Sequence, residues 1–175
     1  MKIIHTKFYD LKIIKGVNHY DKRGYFREIF KNNFFKNNKL IFWCMSRSKK
    51  NVIRGLHLQK NFQQDKFVSV IKGKIFDVVL DLRKKSKTYG KHYSIILSDK
   101  NSTSLFIPAG FAHGLCGLEK DNLVFYGCSN YRSKKNEIAI LWNDKTLNIK
   151  WPTRKPIISS KDKNNITFRK FEDLY

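Results

Sequence analysis

Apolar and polar residues alternate over short stretches along most of the chain, and turn residues separate these stretches. Residues 67–71 and 75–82, for example, are rich in β-branched and aromatic side chains and are flanked by Lys and Gly. Short strands separated by turns every ~8–12 residues are typical of an all-β sandwich or barrel. The middle of the chain has no convincing helical period. We therefore predict a jelly-roll (cupin-like) barrel, which can hold a small ligand between its sheets, with a short C-terminal helical segment.

The same pattern places the individual elements. Strands are predicted at residues 7–14, 25–30, 40–43, 52–59, 67–71, 75–82, 93–97, 104–107, 114–118, 122–126 and 138–142. Loops are predicted at residues 46–51, 60–66 and 83–90, and a turn at residues 21–24. Because only a Lys-Gly-Lys turn separates residues 67–71 from residues 75–82, these two strands are predicted to pair as a hairpin. No repeat or linker interrupts the series, so we expect one domain over residues 1–175.

Three polar residues interrupt the apolar stretch at residues 52–59. Successive side chains of a strand point to opposite faces, so we expect Arg54 on one face and His57 and Gln59 on the other. Gly55 permits a bend or a close backbone approach beside them. On its own, the stretch is equally consistent with a half-buried strand that contains a hydrogen-bonded histidine.

A second histidine belongs to a pattern that cupin-type jelly rolls use to bind a metal ion. Pro108, Gly110 and His113 form the sequence Pro-x-Gly-x-x-His, which supplies one ligand in such proteins. The remaining ligands would require His-x-His and a carboxylate, but His57-x-Gln59 stands at the corresponding place. A stable zinc or transition-metal site usually has three His or carboxylate ligands. We therefore expect no metal and no other cofactor.

The chain is strongly basic, with 36 Lys and Arg against 14 Asp and Glu and a net charge of +22. Such a charge favours polyanionic partners, which include nucleic acids, membrane surfaces and phosphorylated metabolites. The basic residues are spread along the whole chain, and a dispersed pattern is typical of a solvated surface. We expect no specific nucleic-acid partner, although a basic nucleic-acid binder stays open as an alternative.

The distribution of apolar residues and cysteines indicates the compartment. No apolar run approaches the ~18–20 residues that span a bilayer, and the first residues lack the apolar region of a signal peptide. Cys44, Cys116 and Cys128 are odd in number and lack Cys-x-x-Cys spacing, which fits reduced thiols. We expect a cytoplasmic protein without a membrane partner.

Seven motifs occur in order along the chain and resemble a known family. They are Asp21-x-Arg-Gly-x-Phe-x-Glu28, Arg54-Gly-Leu-His-x-Gln59, Lys66 before a valine-rich strand, Asp81-Leu-Arg-x-x-Ser-x-Thr-x-Gly90, Ile107-Pro-x-Gly-Phe-Ala-His-Gly114, Ile140-Leu-Trp-Asn-Asp144 and Ser160-Lys-Asp162. Together they resemble the dTDP-4-dehydrorhamnose 3,5-epimerase (RmlC-like) family over about residues 1–165. This resemblance implies a metal-free homodimeric jelly roll. It also implies an isomerase that inverts C3, C5 or both in nucleotide-diphosphate 4-keto sugars, for lipopolysaccharide or capsule biosynthesis.

The resemblance also implies a set of catalytic residues. Epimerisation beside a ketone needs a base, an acid on the opposite face and a group that stabilises the enolate. By resemblance, His57 is the base, Asp162 orients it, Tyr126 is the proton donor and Lys66 lies near the ketone. Without the resemblance, Asp162 would be read as a surface residue and Tyr126 as a core residue with a satisfied hydroxyl.

Further residues are implied as substrate contacts. They are Arg23, Phe26, Glu28, Arg54, Gln59, His113, Arg132, Glu137 and Lys161. A planar guanidinium suits diphosphate oxygens, and Phe26 could pack against the nucleotide. Each arginine could instead form a surface ion pair.

Two departures from the family pattern concern substrate recognition. Phe42-Trp43-Cys44 stands where the family usually has Gln-x-Asn, and Asn130-Tyr131-Arg132 stands where it has Asn-Tyr-Tyr, whose second tyrosine stacks on thymine. An arginine can stack on a base and donate to guanine acceptors. The substrate is therefore expected to be a dTDP-linked 4-keto-6-deoxyhexose or a GDP-linked 4-keto-heptose. A keto-isomerase and a non-catalytic sugar-nucleotide-binding jelly roll stay open as alternatives.

Overall fold

The computed structural model describes residues 1–32 and 39–175, and residues 33–38 lie outside the described part. Within the described ranges, thirteen strands and two short helices form. The strands are β1 Lys2–His5, β2 Lys12–Lys15, β3 His19–Asp21, β4 Gly24–Phe26, β5 Phe42–Ser48, β6 Ile53–Gln59, β7 Lys66–Lys72, β8 Lys74–Asp81, β9 His92–Ser98, β10 Thr103–Ile107, β11 Phe111–Gly117, β12 Asn122–Cys128 and β13 Glu137–Ala139. The helices are α1 Ser160–Lys163 and α2 Phe168–Leu174, and one 3-10 turn spans Lys134–Asn136.

Two antiparallel sheets face each other across an apolar layer. One sheet has the strand order β1-β2-β10-β7-β12-β5, and the other has the order β13-β6-β11-β8-β9. The layer between them contains fully buried side chains from both sheets, among them Val68, Val79 and Val124. Along β5, partly buried residues alternate with exposed ones, as expected for a strand with one face turned inward. The all-β prediction is confirmed, and the arrangement of the two sheets is that of a cupin-like jelly roll.

The predicted hairpin of residues 67–82 is wrong. β7 pairs with β10 and β12 in one sheet, whereas β8 pairs with β11 and β9 in the other. The chain crosses between the sheets at Gly73, where φ is +84° and a Cβ atom would lie 2.4 Å from the backbone oxygen of Asp121. The pattern of two apolar stretches around a glycine turn therefore predicted the two strands correctly. It did not predict which strands they pair with.

Several predicted boundaries also require correction. The single strand predicted at residues 7–14 is replaced by β1 and β2, which pair antiparallel around a turn at residues 7–10. The strand predicted at residues 25–30 ends at Phe26, and the last predicted strand ends at Ala139. Ser46 to Ser48, predicted as a loop, belong to β5 because they pair with β12.

The C-terminal region covers the outer face of the smaller sheet. Leu56, Leu58 and Leu80 on that face are buried against Phe168 and Phe171 of α2. Because this face of the sheet is covered, residues 52–59 are apolar on both faces of the strand except at Arg54, His57 and Gln59. One helical segment was predicted and two are present, each beginning after a hydroxyl N-cap. None of the helices in residues 1–32 and 39–175 is long and apolar enough to cross a membrane.

Asp81 organises the loop that follows β8. Its fully buried carboxylate accepts hydrogen bonds from Arg83, Ser86 and Thr88, at 2.6–2.8 Å from their side chains. Burial acts to raise the pKa of Asp81, but these hydrogen bonds outweigh it and hold the pKa at about 2. The motif of residues 81–90 therefore holds this loop in one conformation.

We expect the Asp81→Asn variant to unfold more easily by about 1.5–3 kcal/mol at pH 7, because Arg83 loses its charged acceptor. Since the pKa of Asp81 is lower in the folded state, its contribution is complete above the unfolded pKa of 3.8 and is lost as the pH falls through about 2. Urea titrations at pH 7 and pH 3 should therefore show a smaller difference at pH 3. A difference that is equal at both pH values would contradict this assignment, and Lys84→Gln in the same loop is the control.

Candidate active site

A cavity of about 450 Å³ lies between the two sheets at one end of the barrel. Eight of the predicted site residues line it. They are Arg54, His57, Lys66, His113, Tyr126, Arg132, Glu137 and Asp162. Its volume is within the range of small-molecule sites, which are usually a few hundred Å³. The fold therefore brings together side chains that are more than a hundred residues apart in the sequence.

Arg54 and His57 line the same cavity, so the prediction that they point to opposite faces is wrong. The cause is an irregularity between β6 and β11. His113 pairs with His57 but Leu115 pairs with Arg54, so β6 has one extra residue there. Such a bulge reverses the side-chain alternation.

Glycine makes this bulge possible. Gly55 has φ +125°, and a Cβ atom on it would lie 2.5 Å from the Cα atom of Gly114. The close backbone approach predicted at Gly55 is therefore present. Two facing glycines let β6 and β11 approach each other beside the two histidines.

His57 forms a hydrogen bond with a buried carboxylate. Its Nε2 lies 2.6 Å from Oδ1 of Asp162, whose side chain is only 6% exposed. Burial acts to raise the pKa of Asp162, but the hydrogen bond with His57 outweighs it, and the pKa lies below its ordinary value. An ionised carboxylate accepts from Nε2–H, which leaves the lone pair on Nδ1. The imidazole is thus oriented to take up a proton.

Tyr126 and Lys66 reach the cavity from the opposite sheet. Tyr126 is on β12 and Lys66 begins β7, whereas His57 is on β6 of the smaller sheet. Burial raises the pKa of the Tyr126 phenol, so its proton is retained at neutral pH. Burial lowers the pKa of the Lys66 ammonium. A ligand between the sheets would therefore have a base on one side and a proton donor on the other.

The second histidine also has a buried carboxylate behind it. Nε2 of His113 lies 2.8 Å from Oδ2 of Asp77, which is fully buried. The other oxygen of Asp77 has no hydrogen-bond partner among the described residues. Sequence reasoning missed Asp77, because a single Asp in an apolar strand has no local signal. Across residues 1–32 and 39–175, no group of three or more His, Cys, Asp or Glu is placed to hold a metal ion.

Arg54 is held in position at the mouth of the cavity. Its Nε donates to the hydroxyl of Ser48 at 3.0 Å, and its Nη2 donates to the carbonyl of Arg47 at 3.1 Å. Both contacts are with β5, the neighbouring edge strand of the other sheet. Neither acceptor carries a negative charge, so neither offsets the positive charge of the guanidinium, which can interact with an anionic ligand.

Arg132, Glu137 and Lys161 form an ionic cluster at the cavity wall. Nε and Nη2 of Arg132 lie 2.7 and 3.2 Å from the two carboxylate oxygens of Glu137. Nζ of Lys161 lies 2.5 Å from Oε2 of the same carboxylate. Lys161 itself does not line the cavity. Of the three residues predicted as separate substrate contacts, Arg132 and Lys161 therefore both contact Glu137.

Gln59 lies beneath the cavity wall and does not line it. Its side chain is buried, with the residue 4% exposed. The amide nitrogen donates to the carbonyl oxygens of Phe62 and Tyr131, and the amide oxygen accepts from the backbone N–H of Ser133. Gln59 thus fixes the loop that carries Arg132. The structure does not place its side chain in the cavity, where the predicted contact with a substrate would form.

Three predicted substrate residues lie away from the cavity of this single chain. Arg23, Phe26 and Glu28 are on or beside the β3–β4 hairpin and do not line it. Arg23 is ion-paired with Asp21 at 2.6 Å, and Glu28 with Lys31 at 2.9 Å. Phe26 is 68% exposed. One chain does not bring these residues to His57.

The inward face of β5 adds a wall that sequence reasoning did not assign. Phe42, Cys44 and Ser46 occupy alternate positions of this strand and line the cavity. Cys44 pairs directly with Tyr126 across the sheet. The only sequence signal was the departure from the family pattern at residues 42–44. Since these residues face the cavity, that departure changes its surface.

Comparison with known proteins agrees with the geometry. The family model described as dTDP-4-dehydrorhamnose 3,5-epimerase matches residues 5–170. A dTDP-4-dehydrorhamnose 3,5-epimerase from Shigella flexneri is 40% identical over 174 residues, which cover 96% of each protein. One from Methanothermobacter thermautotrophicus is 40% identical over 170 residues, or 93% of this chain and 92% of that protein.

Solved structures show the same fold. The Bacillus anthracis dTDP-4-dehydrorhamnose 3,5-epimerase, crystallised with TDP and PPi, has a TM-score of 0.91 and 38% identity, covering 95% of this chain and 99% of that one. A Legionella pneumophila 3,5-epimerase in complex with dTDP-4-keto-L-rhamnose has a TM-score of 0.92 and 36% identity, with coverage of 96% and 93%.

Proposed function

Because this chain belongs to the dTDP-4-dehydrorhamnose 3,5-epimerase family, we propose that it inverts C3, C5 or both in a dTDP-linked 4-keto-6-deoxy sugar. It is an isomerase, and the comparisons support a thymidine nucleotide, since related structures contain TDP or dTDP-4-keto-L-rhamnose. One observation carries the proposal for this chain. A histidine that is hydrogen-bonded to a carboxylate and a partly buried tyrosine reach one cavity from opposite sheets.

Each step of the reaction has a candidate residue. His57 removes the proton from the carbon beside the C4 ketone, and the electron pair moves onto the ketone oxygen to form an enolate. Lys66 stabilises the negative charge on that oxygen. Tyr126 then returns a proton to the same carbon from the other face, and the ketone re-forms. Asp162 holds His57 in orientation and stabilises the imidazolium.

Binding of the diphosphate is assigned to the arginines. Arg54 is positioned by two neutral hydrogen-bond acceptors, so its positive charge is not compensated by them. Arg132 also lines the cavity, although Glu137 engages two of its nitrogens. Charge-assisted contacts of this kind are stronger than neutral hydrogen bonds. His113 is hydrogen-bonded to Asp77 and belongs to the same sheet as His57. It is assigned to bind the diphosphate as well.

We further propose that the protein acts as a homodimer. The β3–β4 hairpin presents Tyr20, Tyr25 and Phe26 to solvent with 46–69% exposure, and edge strand β5 presents Trp43 and Met45 outward. Exposed apolar side chains in this number are typical of an interface. A second copy would both cover them and supply Arg23, Phe26 and Glu28 to a cavity. Light scattering of the purified protein tests the dimer, and a monomeric mass would contradict it.

We place the enzyme in the cytoplasm, in the synthesis of surface-polysaccharide sugars. All three cysteines are free thiols, which fits a reducing compartment. The relatives are dTDP-4-dehydrorhamnose 3,5-epimerases, and a place in the synthesis of polysaccharide sugars fits that name.

Deuterium exchange tests the proposed function directly. Enzyme, heavy water and a dTDP-linked 4-keto-6-deoxyhexose should give product labelled at C3, C5 or both, read by mass spectrometry and NMR. The same reaction with a GDP-linked 4-keto-heptose tests the alternative that Arg132 and the changed β5 wall suggest. Ligand binding without label would indicate a non-catalytic jelly roll, and label together with a shifted ketone would indicate a keto-isomerase.

A further inference from the structure

The Glu137 carboxylate joins three separate parts of the chain. Glu137 begins β13, Arg132 lies in the preceding loop and Lys161 belongs to α1. The Glu137 side chain is only 15% exposed. Burial acts to raise the pKa of Glu137, but hydrogen bonds from Arg132 and Lys161 outweigh it and hold the pKa at about 2. The carboxylate is therefore ionised throughout the working pH range.

Helix α1 depends on contacts outside itself. It has four residues, and a helix of one turn has no independent stability in water. The Ser159 hydroxyl caps it by accepting from the N–H of Asp162 at 3.1 Å. Its two links to the barrel through charged side chains are Asp162 with His57 and Lys161 with Glu137. If the link between Lys161 and Glu137 is lost, only the remaining contacts hold Asp162 in position.

The strand pair β6–β13 fixes the other end of these links. Glu137 pairs with Gln59, and Ala139 pairs with His57. The backbone that positions the histidine therefore also positions the Glu137 carboxylate. Arg132 holds that carboxylate through two nitrogens, and the Gln59 side chain fixes the loop of Arg132 on either side.

We propose that Glu137 is a positioning residue, which ties the one-turn helix carrying Asp162 to the strand carrying His57. This inference rests on the proposed function, in which His57 is the base. It differs from the substrate contact that the sequence implied for Glu137. Two cations already neutralise the carboxylate, and a free carboxylate would repel the diphosphate of the substrate.

Two single variants and their combination test the tie. Glu137→Gln keeps the size of the side chain but removes its charge, and Lys161→Met removes the other partner while Arg132 and Glu137 stay paired. Each should lower kcat by up to about 100-fold, because a small displacement of a catalytic group has effects of that size. KM should stay nearly unchanged in Lys161→Met, in which Arg132 keeps its partner. The double variant should be no slower than the single ones, since both remove the same interaction.

A second readout is independent of turnover. In the free enzyme, the proton between His57 and Asp162 should give a downfield ¹H NMR resonance, because its short hydrogen bond protects it from water. We expect this resonance to be broadened or lost in both single variants. Far-UV circular dichroism should show that the barrel is folded.

The chain contains a closely matched control. Asp121 accepts from Nε and Nη2 of Arg47 at 2.7 and 3.2 Å and from Lys72 at 3.1 Å, but it does not line the cavity of His57. Asp121→Asn therefore breaks an ionic cluster of the same composition elsewhere. It should leave both kcat and the NMR resonance unchanged.

Two outcomes would overturn the inference. An unchanged resonance in Glu137→Gln would show that Asp162 does not need the tie. A raised KM with unchanged kcat, or effects that add in the double variant, would make Glu137 and Lys161 substrate ligands. If the wild-type enzyme shows no epimerase activity, the proposed function fails, but the resonance still decides whether the tie positions Asp162.

Discussion

Replacing His57 by asparagine is expected to lower kcat for epimerisation by about 100-fold to 10,000-fold, the usual contribution of a general base. The asparagine amide is too short to replace Nε2 of His57, so Asp162 loses that contact but keeps the one with Nδ2 of Asn165. Far-UV circular dichroism checks that the fold is preserved. The rate of deuterium incorporation should fall by the same factor, because proton removal precedes every later step. Both rates are measured in one experiment by following the 4-keto sugar nucleotide in heavy water.

The control for this variant is His5→Asn. His5 is exposed on β1 and does not line the cavity, so its loss should have no effect. His113 is the other histidine of the cavity lining. If the His57 variant kept more than a tenth of its activity while His113→Asn abolished proton exchange, the base would have to be reassigned to His113.

Replacing Tyr126 by phenylalanine is expected to separate proton exchange from inversion. The ring still packs in the core, but the phenol proton is absent, so inversion should fall by about 100-fold or more. His57 can still remove the proton and return one from solvent to the same face. The substrate should therefore gain deuterium while its configuration is retained, which NMR of the recovered sugar nucleotide reports.

Tyr93→Phe is the matched control, because Tyr93 packs against the barrel core but does not line the cavity. Inversion at the wild-type rate in Tyr126→Phe would mean that another group supplies the proton. The nearest candidate would be the Cys44 thiol, which stands directly opposite Tyr126 on the neighbouring strand.

The alternation pattern predicted most of the strands because each sheet has one face in the core. Residues 104–107 and 122–126 were placed correctly, and both lie within strands of the structure. The pattern does not specify which strands pair with one another. The crossing at Gly73 and the pairing of β7 with β10 and β12 depend on contacts distant in sequence.

The prediction of the site from the sequence was limited in the same way. Local spacing predicted that His57 and Gln59 share a strand, and Gly55 indicated a bend or a close approach. Neither signal predicted that a bulge there directs Arg54 into the same cavity as His57. Asp162 is 105 residues from His57, and only the motif order of the family indicated their contact. Asp77 had neither a spacing nor a motif signal, and its partnership with His113 emerges only from the register of β8 and β11.

In the proposed mechanism the base belongs to one sheet and the acid to the other, so the distance between the sheets should affect the reaction as well as the stability of the barrel. Val68 pairs with Tyr126 on the neighbouring strand and is fully buried in the layer that separates the sheets. Close-packed layers respond to a single added methylene group. A larger side chain at such a position would widen the gap between His57 and Tyr126 without touching either residue. Core residues that never meet the sugar can thus affect the rate of the proposed reaction.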